Sequence, residues 1–317
     1  MGWKVLAVSV MVVASVAGLA ATAKDQISQL IGGQPPEVAE HPIKNVMVQG
    51  EELPYPVWFA TSMPGEKVRF TLPSGYAMRV NGRFVSRRGA VTVWEAPDSP
   101  GVAEVTILKP TGELANRVSV FVLQPASSAR NGRIDGYRIG NYPKNAPKGY
   151  IRLNNPEDAN ADVSPHFRIG QFLCKQQPNH WPKFVLVTPS LLKRLETVLA
   201  ELQSSGRTNA KTLFVMSGFR TPFYNTAIRG AKFSRHMYGD AADVYVDAQP
   251  TDGVMDDLSG DGKISKHDAN WLFDFASGIF KERKDLPRGG LGSYKANAVH
   301  GPFVHIDGRG QQARWGR

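Results

Sequence analysis

The strongest constraint on the fold is a long stretch of period-two alternation, from Val46 to about residue 123, with no convincing helical period inside it. Lys67-Val68-Arg69-Phe70-Thr71-Leu72, Val102-Ala103-Glu104-Val105-Thr106-Ile107 and Arg117-Val118-Ser119-Val120-Phe121-Val122 alternate in this way. Each sends successive side chains to opposite faces, the mark of a half-buried strand. Between residues 77–80 and 83–85, Asn81-Gly82 supplies two adjacent residues that tolerate positive φ, which a two-residue hairpin requires. Short strands at this spacing predict a small antiparallel sandwich of immunoglobulin-like type over residues 46–124.

The alternation ends at Pro125-Ala126-Ser127-Ser128-Ala129-Arg130-Asn131-Gly132, which is small, polar and turn-rich. Residues 125–146 therefore read as a linker, and residues 147–317 as a second, mixed domain. Two moderate domains suit a chain of 317 residues. With 42% apolar and 21% charged residues, a disordered or fibrous chain is excluded. In the second domain Thr188 can cap a helix that Pro189 opens, with Leu191, Leu192, Leu195, Val198, Leu199 and Leu202 on one face and Gly206 as its stop. Leu213-Phe214-Val215-Met216 follows as a short buried strand running into Ser217-Gly218.

The first residues concern location. Lys4 precedes an uncharged apolar run over residues 5–20, and Ala21-Thr22-Ala23 follows before Lys24. This is the pattern of a secretory signal over residues 1–23 with an A-x-A cleavage site. The run is also nearly long enough to span a bilayer, so a retained N-terminal anchor is the alternative. Either outcome exports the remainder, to the periplasm or cell envelope, and no second stretch approaches membrane length. Residues 24–45, with Pro35, Pro36 and Pro42, read as an extended lead-in. The single cysteine, Cys174, allows no internal disulfide and reads as a small buried hydrophobe. A net charge of +10 on an exported chain favours an anionic envelope polymer over nucleic acid as partner. A monomer is expected.

Chemistry concentrates in two glycine-punctuated segments. In Ser234-Arg235-His236-Met237-Tyr238-Gly239-Asp240-Ala241-Ala242-Asp243, an imidazole and a carboxylate stand seven residues apart. A sharp turn at Gly239 and the small Ala241 and Ala242 let Asp243 fold back toward His236. Zinc accepts both donor types, and a catalytic zinc takes three protein ligands and leaves a fourth position open. His300-Gly301-Pro302-Phe303-Val304-His305-Ile306-Asp307 offers two histidines for the third place. On a strand His305 and Asp307 share a face, which puts His305 on the metal and Asp307 beside it, to orient the ring or accept a proton. Imidazole and carboxylate donors also accept other divalent ions.

Ser217-Gly218-Phe219-Arg220-Thr221-Pro222, Ser234-x-His236-x-x-Gly239-x-Ala241-x-Asp243 and Phe303-Val304-His305-Ile306-Asp307-Gly308-Arg309-Gly310 resemble the zinc D-alanyl-D-alanine carboxypeptidase and murein endopeptidase family. The likeness runs from about residue 147 to 317. It implies an α+β fold, a small antiparallel sheet flanked by helices, and hydrolysis of an amide beside a D-amino acid in peptidoglycan stem peptides. It implies His236, Asp243 and His305 as zinc ligands and Arg220 as the group that holds a substrate carbonyl or carboxylate. One departure stands out: where some members carry a carboxylate three residues before the last ligand, this chain has Pro302. The proton carrier then falls to His300 or Asp307. His300 suits neutral pH better, given a histidine's ordinary pKa of about 6.5.

A second metal signal lies between the second and third zinc ligands. Asp257-Leu258-Ser259-Gly260-Asp261-Gly262-Lys263-Ile264-Ser265-Lys266-His267-Asp268 fits a twelve-residue calcium loop, with Asp257, Ser259, Asp261, Ser265 and Asp268 as side-chain ligands and Lys263 lending its carbonyl. Asp in place of Glu at the last position resembles the loops of dockerin-type modules. Two functions thus compete: a zinc peptidase with a calcium-clipped insertion, and a non-catalytic wall-binding or scaffolding protein with a degenerate zinc domain, favoured by Pro302.

Overall fold

The computed structural model describes residues 45–87 and 89–317. The expected signal and almost all of the extended lead-in lie outside these residues. Nine strands come first among them: β1 (Met47–Val48), β2 (Glu51–Glu52), β3 (Val57–Ser62), β4 (Lys67–Thr71), β5 (Ala77–Val80), β6 (Arg83–Phe84), β7 (Val91–Glu95), β8 (Gly101–Leu108) and β9 (Leu114–Val122). They form two sheets, of order β2-β1-β4-β7 and β3-β9-β8-β5-β6. In β4, Val68 and Phe70 are buried while Lys67 and Arg69 face solvent, as the alternation requires. The Asn81-Gly82 turn joins β5 to β6 with φ of 48° and 77°.

Two features depart from the sequence pattern. First, β3 pairs with β9 in parallel, Val57 opposite Arg117 through Ser62 opposite Val122, so the second sheet is mixed instead of antiparallel. A parallel pair needs a long crossover, and residues 63–113 supply it by way of the intervening strands. Second, β9 is buried on both faces at Val118, Ser119, Val120, Phe121 and Val122. The strands Gly149–Leu153 and Asp162–Ser164 of the following region pack against it, and Arg117 pairs with Asp162 at 3.5 Å.

Residues 125–146, expected as a linker, are folded. Gln124–Pro125 pairs with Tyr150 and Gly149, and the hairpin of Arg133–Ile134 with Tyr137–Arg138 buries Ile134 and Tyr137. One continuous hydrophobic core therefore runs from Val46 through the sheets of both halves to Ile306.

Three α-helices follow among the described residues: α1 (Pro189–Ser204), α2 (Pro222–Ala227) and α3 (Lys266–Glu282). Thr188 Oγ accepts from the Leu191 N–H, and the six expected apolar residues of α1 are all buried. In α3 Leu272 is fully buried, while Trp271 and Phe275 stack on each other at the core margin. The site is carried by a five-stranded sheet of β10 (Phe214–Ser217), β11 (Ala241–Tyr245), β12 (Gly290–Tyr294), β13 (Phe303–Asp307) and β14 (Ala313–Trp315), in the order β10-β11-β13-β12-β14. All pairs are antiparallel except β12 with β14, which is parallel. Both α1 and α3 pack against β13. None of the helices is long and apolar enough to cross a membrane among the described residues.

Candidate metal centre

The sheet aligns the site in one row. Ser217 on β10 stands opposite Asp243 on β11, Asp243 opposite His305 on β13, His305 opposite Gly292 on β12, and Gly292 opposite Trp315 on β14. Directly opposed residues share a face of the sheet, so the register alone brings Asp243 and His305 together. His236 joins them from a 3-10 turn, Arg235–Tyr238, that ends at Gly239 with φ of 69°. A Cβ at Gly239 would lie 2.4 Å from the Leu186 carbonyl carbon, so both the left-handed backbone and the close approach require glycine. Ala241 and Ala242 are fully buried beneath the turn.

Tautomers follow from the outer hydrogen bonds. His236 Nδ1 lies 2.7 Å from the Gly218 carbonyl oxygen, which can only accept, so Nδ1 carries the proton and Nε2 a lone pair. His305 Nε2 lies 3.1 Å from Asp307 Oδ2, which leaves Nδ1 facing inward. His236 Nε2 is 3.2 Å from His305 Nδ1 and 3.2 Å from Asp243 Oδ1, and His305 Nδ1 is 2.9 Å from that same oxygen. Three buried lone-pair atoms facing one another repel unless a positive charge lies among them. Tetrahedral zinc with bonds of ~2.0–2.1 Å sets its ligands ~3.3 Å apart, close to all three separations, so the donor set fits the ion. Among the described residues this is the one group of three or more His, Cys, Asp or Glu side chains whose ligand atoms all lie within 4.8 Å of one another.

Charge around the cluster is ordered. Burial raises the Asp243 pKa, but the two imidazoles outweigh it and hold the carboxyl well below its usual range. Burial lowers His305, and the hydrogen bonds and charges of Asp243 and Asp307 overcome that and raise it. His236 goes the other way, because burial dominates the attraction of Asp243. Of the two imidazoles, His305 is thus the one pushed toward its protonated form and His236 the one pushed away from it. Asp307 is itself held far below the carboxylate range despite burial, by His305, by Arg309 and by the Gly290 N–H at 2.8 Å. It orients His305 and stays ionised.

Arg220 and His300 occupy different settings. Arg220 donates through Nη2 to Asp243 Oδ2 and through Nε to Ser217 Oγ at 2.8 Å, leaving Nη1 without a protein hydrogen bond among the described residues. His300 sits in the loop before β13, with Nε2 2.8 Å from Asn297 Nδ2 and Nδ1 2.8 Å from the Gly301 carbonyl oxygen. Its ring packs edge-on against Phe303 and makes no hydrogen bond to the cluster. Lys175, which the sequence pattern did not single out, is close enough to feel both Arg220 and Asp243. Desolvation and Arg220 lower its pKa against the pull of Asp243.

The loop over residues 257–268 is satisfied internally. Asp257 accepts from the N–H groups of Gly260, Asp261 and Gly262, and Asp261 from that of Lys263. Ser265 and Asp268 form the capping box of α3, and Asp268 also accepts from the Ser259 N–H. Capping thus accounts for Ser265 and Asp268 without an ion.

The His305 proton gives a pH test. Without metal, a raised folded pKa adds stability that is fully present below the ordinary histidine value of ~6.5 and is lost as pH rises through the raised one. Zinc needs the deprotonated Nδ1, so its affinity rises over the same interval. The melting shift caused by zinc should therefore grow as pH rises from below ~6.5 and on through the raised His305 value. A shift independent of pH would contradict the ligand atoms assigned here.

No curated protein matches the chain. Two solved structures show limited similarity. The fibronectin(III)-like modules of Clostridium thermocellum CbhA share 15% identity over 24% of this chain and 94% of theirs, with a TM-score of 0.17. The Bacteroides ovatus protein SGBP-B, of a mixed-linkage glucan utilization locus and bound to a mixed-linkage heptasaccharide, shares 13% over 26% of this chain and 28% of its own, also with a TM-score of 0.17. Residues 165–258, which include Arg220, His236 and Asp243, match the family Peptidase M15, a family of zinc peptidases.

Proposed function

We propose that this chain is an exported zinc peptidase that hydrolyses peptidoglycan stem peptides at an amide beside a D-amino acid. The observation that carries the reading is the convergence of His236 Nε2, Asp243 Oδ1 and His305 Nδ1 at tetrahedral spacing, with Arg220 attached. The match of residues 165–258 to Peptidase M15 supports the same reaction class. When bound, zinc supplies Lewis acidity toward a carbonyl oxygen and toward water.

The chain's own residues do the rest. Asp307 and the Gly218 carbonyl fix the two imidazoles so that their inner nitrogens need not reorganise. Arg220 presents Nη1 to a substrate carbonyl or carboxylate while Nη2 holds Asp243. Its charge stabilises negative charge as it develops on the carbonyl oxygen. His300 is the proton carrier in this reading. Its ring packs edge-on against Phe303, two residues from His305 and on the same face of β13, and its hydrogen-bond partners are the loop groups Asn297 Nδ2 and the Gly301 carbonyl. Catalytic hydrogen bonds of this kind often tighten only with substrate in place. Residues 257–268 take calcium as a clip on the insertion.

A non-catalytic, wall-binding function is favoured by one observation: Pro302 stands where a carboxylate base is expected, and both carboxylates at the centre are committed to histidine and arginine. A zymogram on purified peptidoglycan, with and without chelator, distinguishes the two. Clearing that chelator abolishes, and that His236→Ala and His305→Ala lack, is expected of the peptidase. Binding to the wall with no clearing by wild type would select the scaffold.

Three variants test the roles. Arg220→Ala should lower turnover ~100-fold and zinc affinity ~10-fold, because a partner of a ligand is lost. Recovery of full rate at saturating zinc would leave only the second role. His300→Ala should keep zinc, slow the reaction ~100- to 10,000-fold and flatten one limb of the kcat/KM profile. An unchanged profile would remove His300 from proton transfer. Asp257→Ala with Asp261→Ala should bring the melting temperature in calcium down to its calcium-free value. A wild type that melts identically with and without millimolar calcium would end the calcium reading.

A further inference from the structure

We propose that Trp315 is a positioning residue of the metal centre, its indole admitted by the bare Cα of Gly292 and holding the His305 ring so that Nδ1 faces Asp243 and His236. The inference rests on the reading of those three residues as metal ligands. Trp315, Gly292 and His305 lie on one row across β14, β12 and β13. A Cβ at Gly292 would meet Cε2 and Nε1 of Trp315 at 2.3 Å, so the indole fills the space that any other side chain would occupy. It reaches across the glycine to His305, with ring centroids 5.3 Å apart.

Two contacts fix the indole in turn. Trp315 Nε1 donates to Tyr294 Oη at 2.8 Å, and Tyr294 is stacked on Phe303 with centroids 4.7 Å apart. The Arg309 guanidinium lies 5.2 Å from the indole centroid and also donates to Asp307, the partner of His305 Nε2. The strand is pinned as well. Arg314 Nη1 donates to the Gly289 carbonyl at 3.0 Å, and Lys266 Nζ donates to the Gly316 carbonyl. At Gly316 φ is 76°, and a Cβ there would lie 2.2 Å from the Ser293 carbonyl oxygen.

The need for such a surface follows from histidine itself. The ring torsion of histidine is broad and roughly two-fold, so a hydrogen bond at one nitrogen restrains the ring without excluding neighbouring rotations. Asp307 supplies the hydrogen bond, and Trp315, its ring plane tilted 50° to the imidazole, supplies the packing contact that removes the remaining freedom. A ligand held in its bonding orientation before the ion arrives loses less on binding.

The test uses the full chain and zinc alone, titrated against a chelator of known affinity, with cobalt(II) as a spectroscopic substitute. Trp315→Ala should raise the zinc dissociation constant ~10- to 100-fold, the range seen when support of a ligand is removed, and should alter the visible bands of the cobalt form. Trp315→Phe, which keeps a flat ring at the position, should recover most of the affinity. Gly292→Ala displaces the indole without removing it and should reproduce the loss, which guards against a Trp315→Ala that merely folds poorly. Wild-type affinity and an unchanged cobalt spectrum in Trp315→Ala or in Gly292→Ala would overturn the proposal. If the wild type itself binds neither zinc nor cobalt, the ligand assignment fails, and that result is separate from any difference among variants.

Discussion

The carboxylate of Asp307 has no exposed surface, and much of the second half of the chain is arranged around keeping it ionised. A buried charge is tolerated only when nearly all of its lone pairs are satisfied. Asp307 receives the Gly290 N–H, the backbone and guanidinium of Arg309, and His305 Nε2. Gly290 must be glycine for this, since a Cβ there would lie 2.3 Å from Asp307 Oδ2. The start of β12 is held in place by Arg194 of α1, fully buried, which donates to the carbonyls of Pro287 and Gly290. Helix α1, strand β12 and the ligand on β13 are thus joined through one anion.

Asp243 divides its work between its two oxygens. Oδ1 faces both imidazoles and Oδ2 takes Arg220, so the carboxylate that brings negative charge to the cluster is also the group that anchors the cationic side chain beside it. Because Arg220 is further tied to Ser217, which stands opposite Asp243, the spacing between the arginine and the cluster is set by strand register. Groups fixed before reaction need no reorganisation during it.

How much of this could be read from sequence differs from residue to residue. His236, Asp243 and His305 stand among local rules: Gly239 for a left-handed turn, small residues before Asp243, and the two-residue period that puts His305 and Asp307 on one face. It was the family resemblance, however, that singled them out as a set, and the structure does bring the three together. The Asn81-Gly82 hairpin and the apolar face of α1 were legible from local rules alone. What escaped depends on contacts between distant segments. Gly292 has meaning only once Trp315 is seen over it, Lys175 only once it is seen close to Arg220 and Asp243, and the parallel β3–β9 pairing only in three dimensions. The 125–146 segment has the composition of a linker, yet Ile134 and Tyr137 find a core there. In the acidic loop, Ser265 and Asp268 satisfy the rules for a calcium ligand and for a helix cap together, and composition does not separate the two.

The contact between Asp243 and His305 spans 62 residues of sequence, and the whole insertion with its acidic loop and α3 lies between them. The cost of closing such a circuit grows only slowly with its length, so a long insertion here is cheap to carry. In the proposed zinc form, an ion gripped from both ends of it would act as a cross-link that is undone by protons or chelators, where a disulfide is undone by thiols. In a chain whose one cysteine has no partner, the proposed ion would be the means of tying that knot, and acidification or a stronger chelator the means of loosening it.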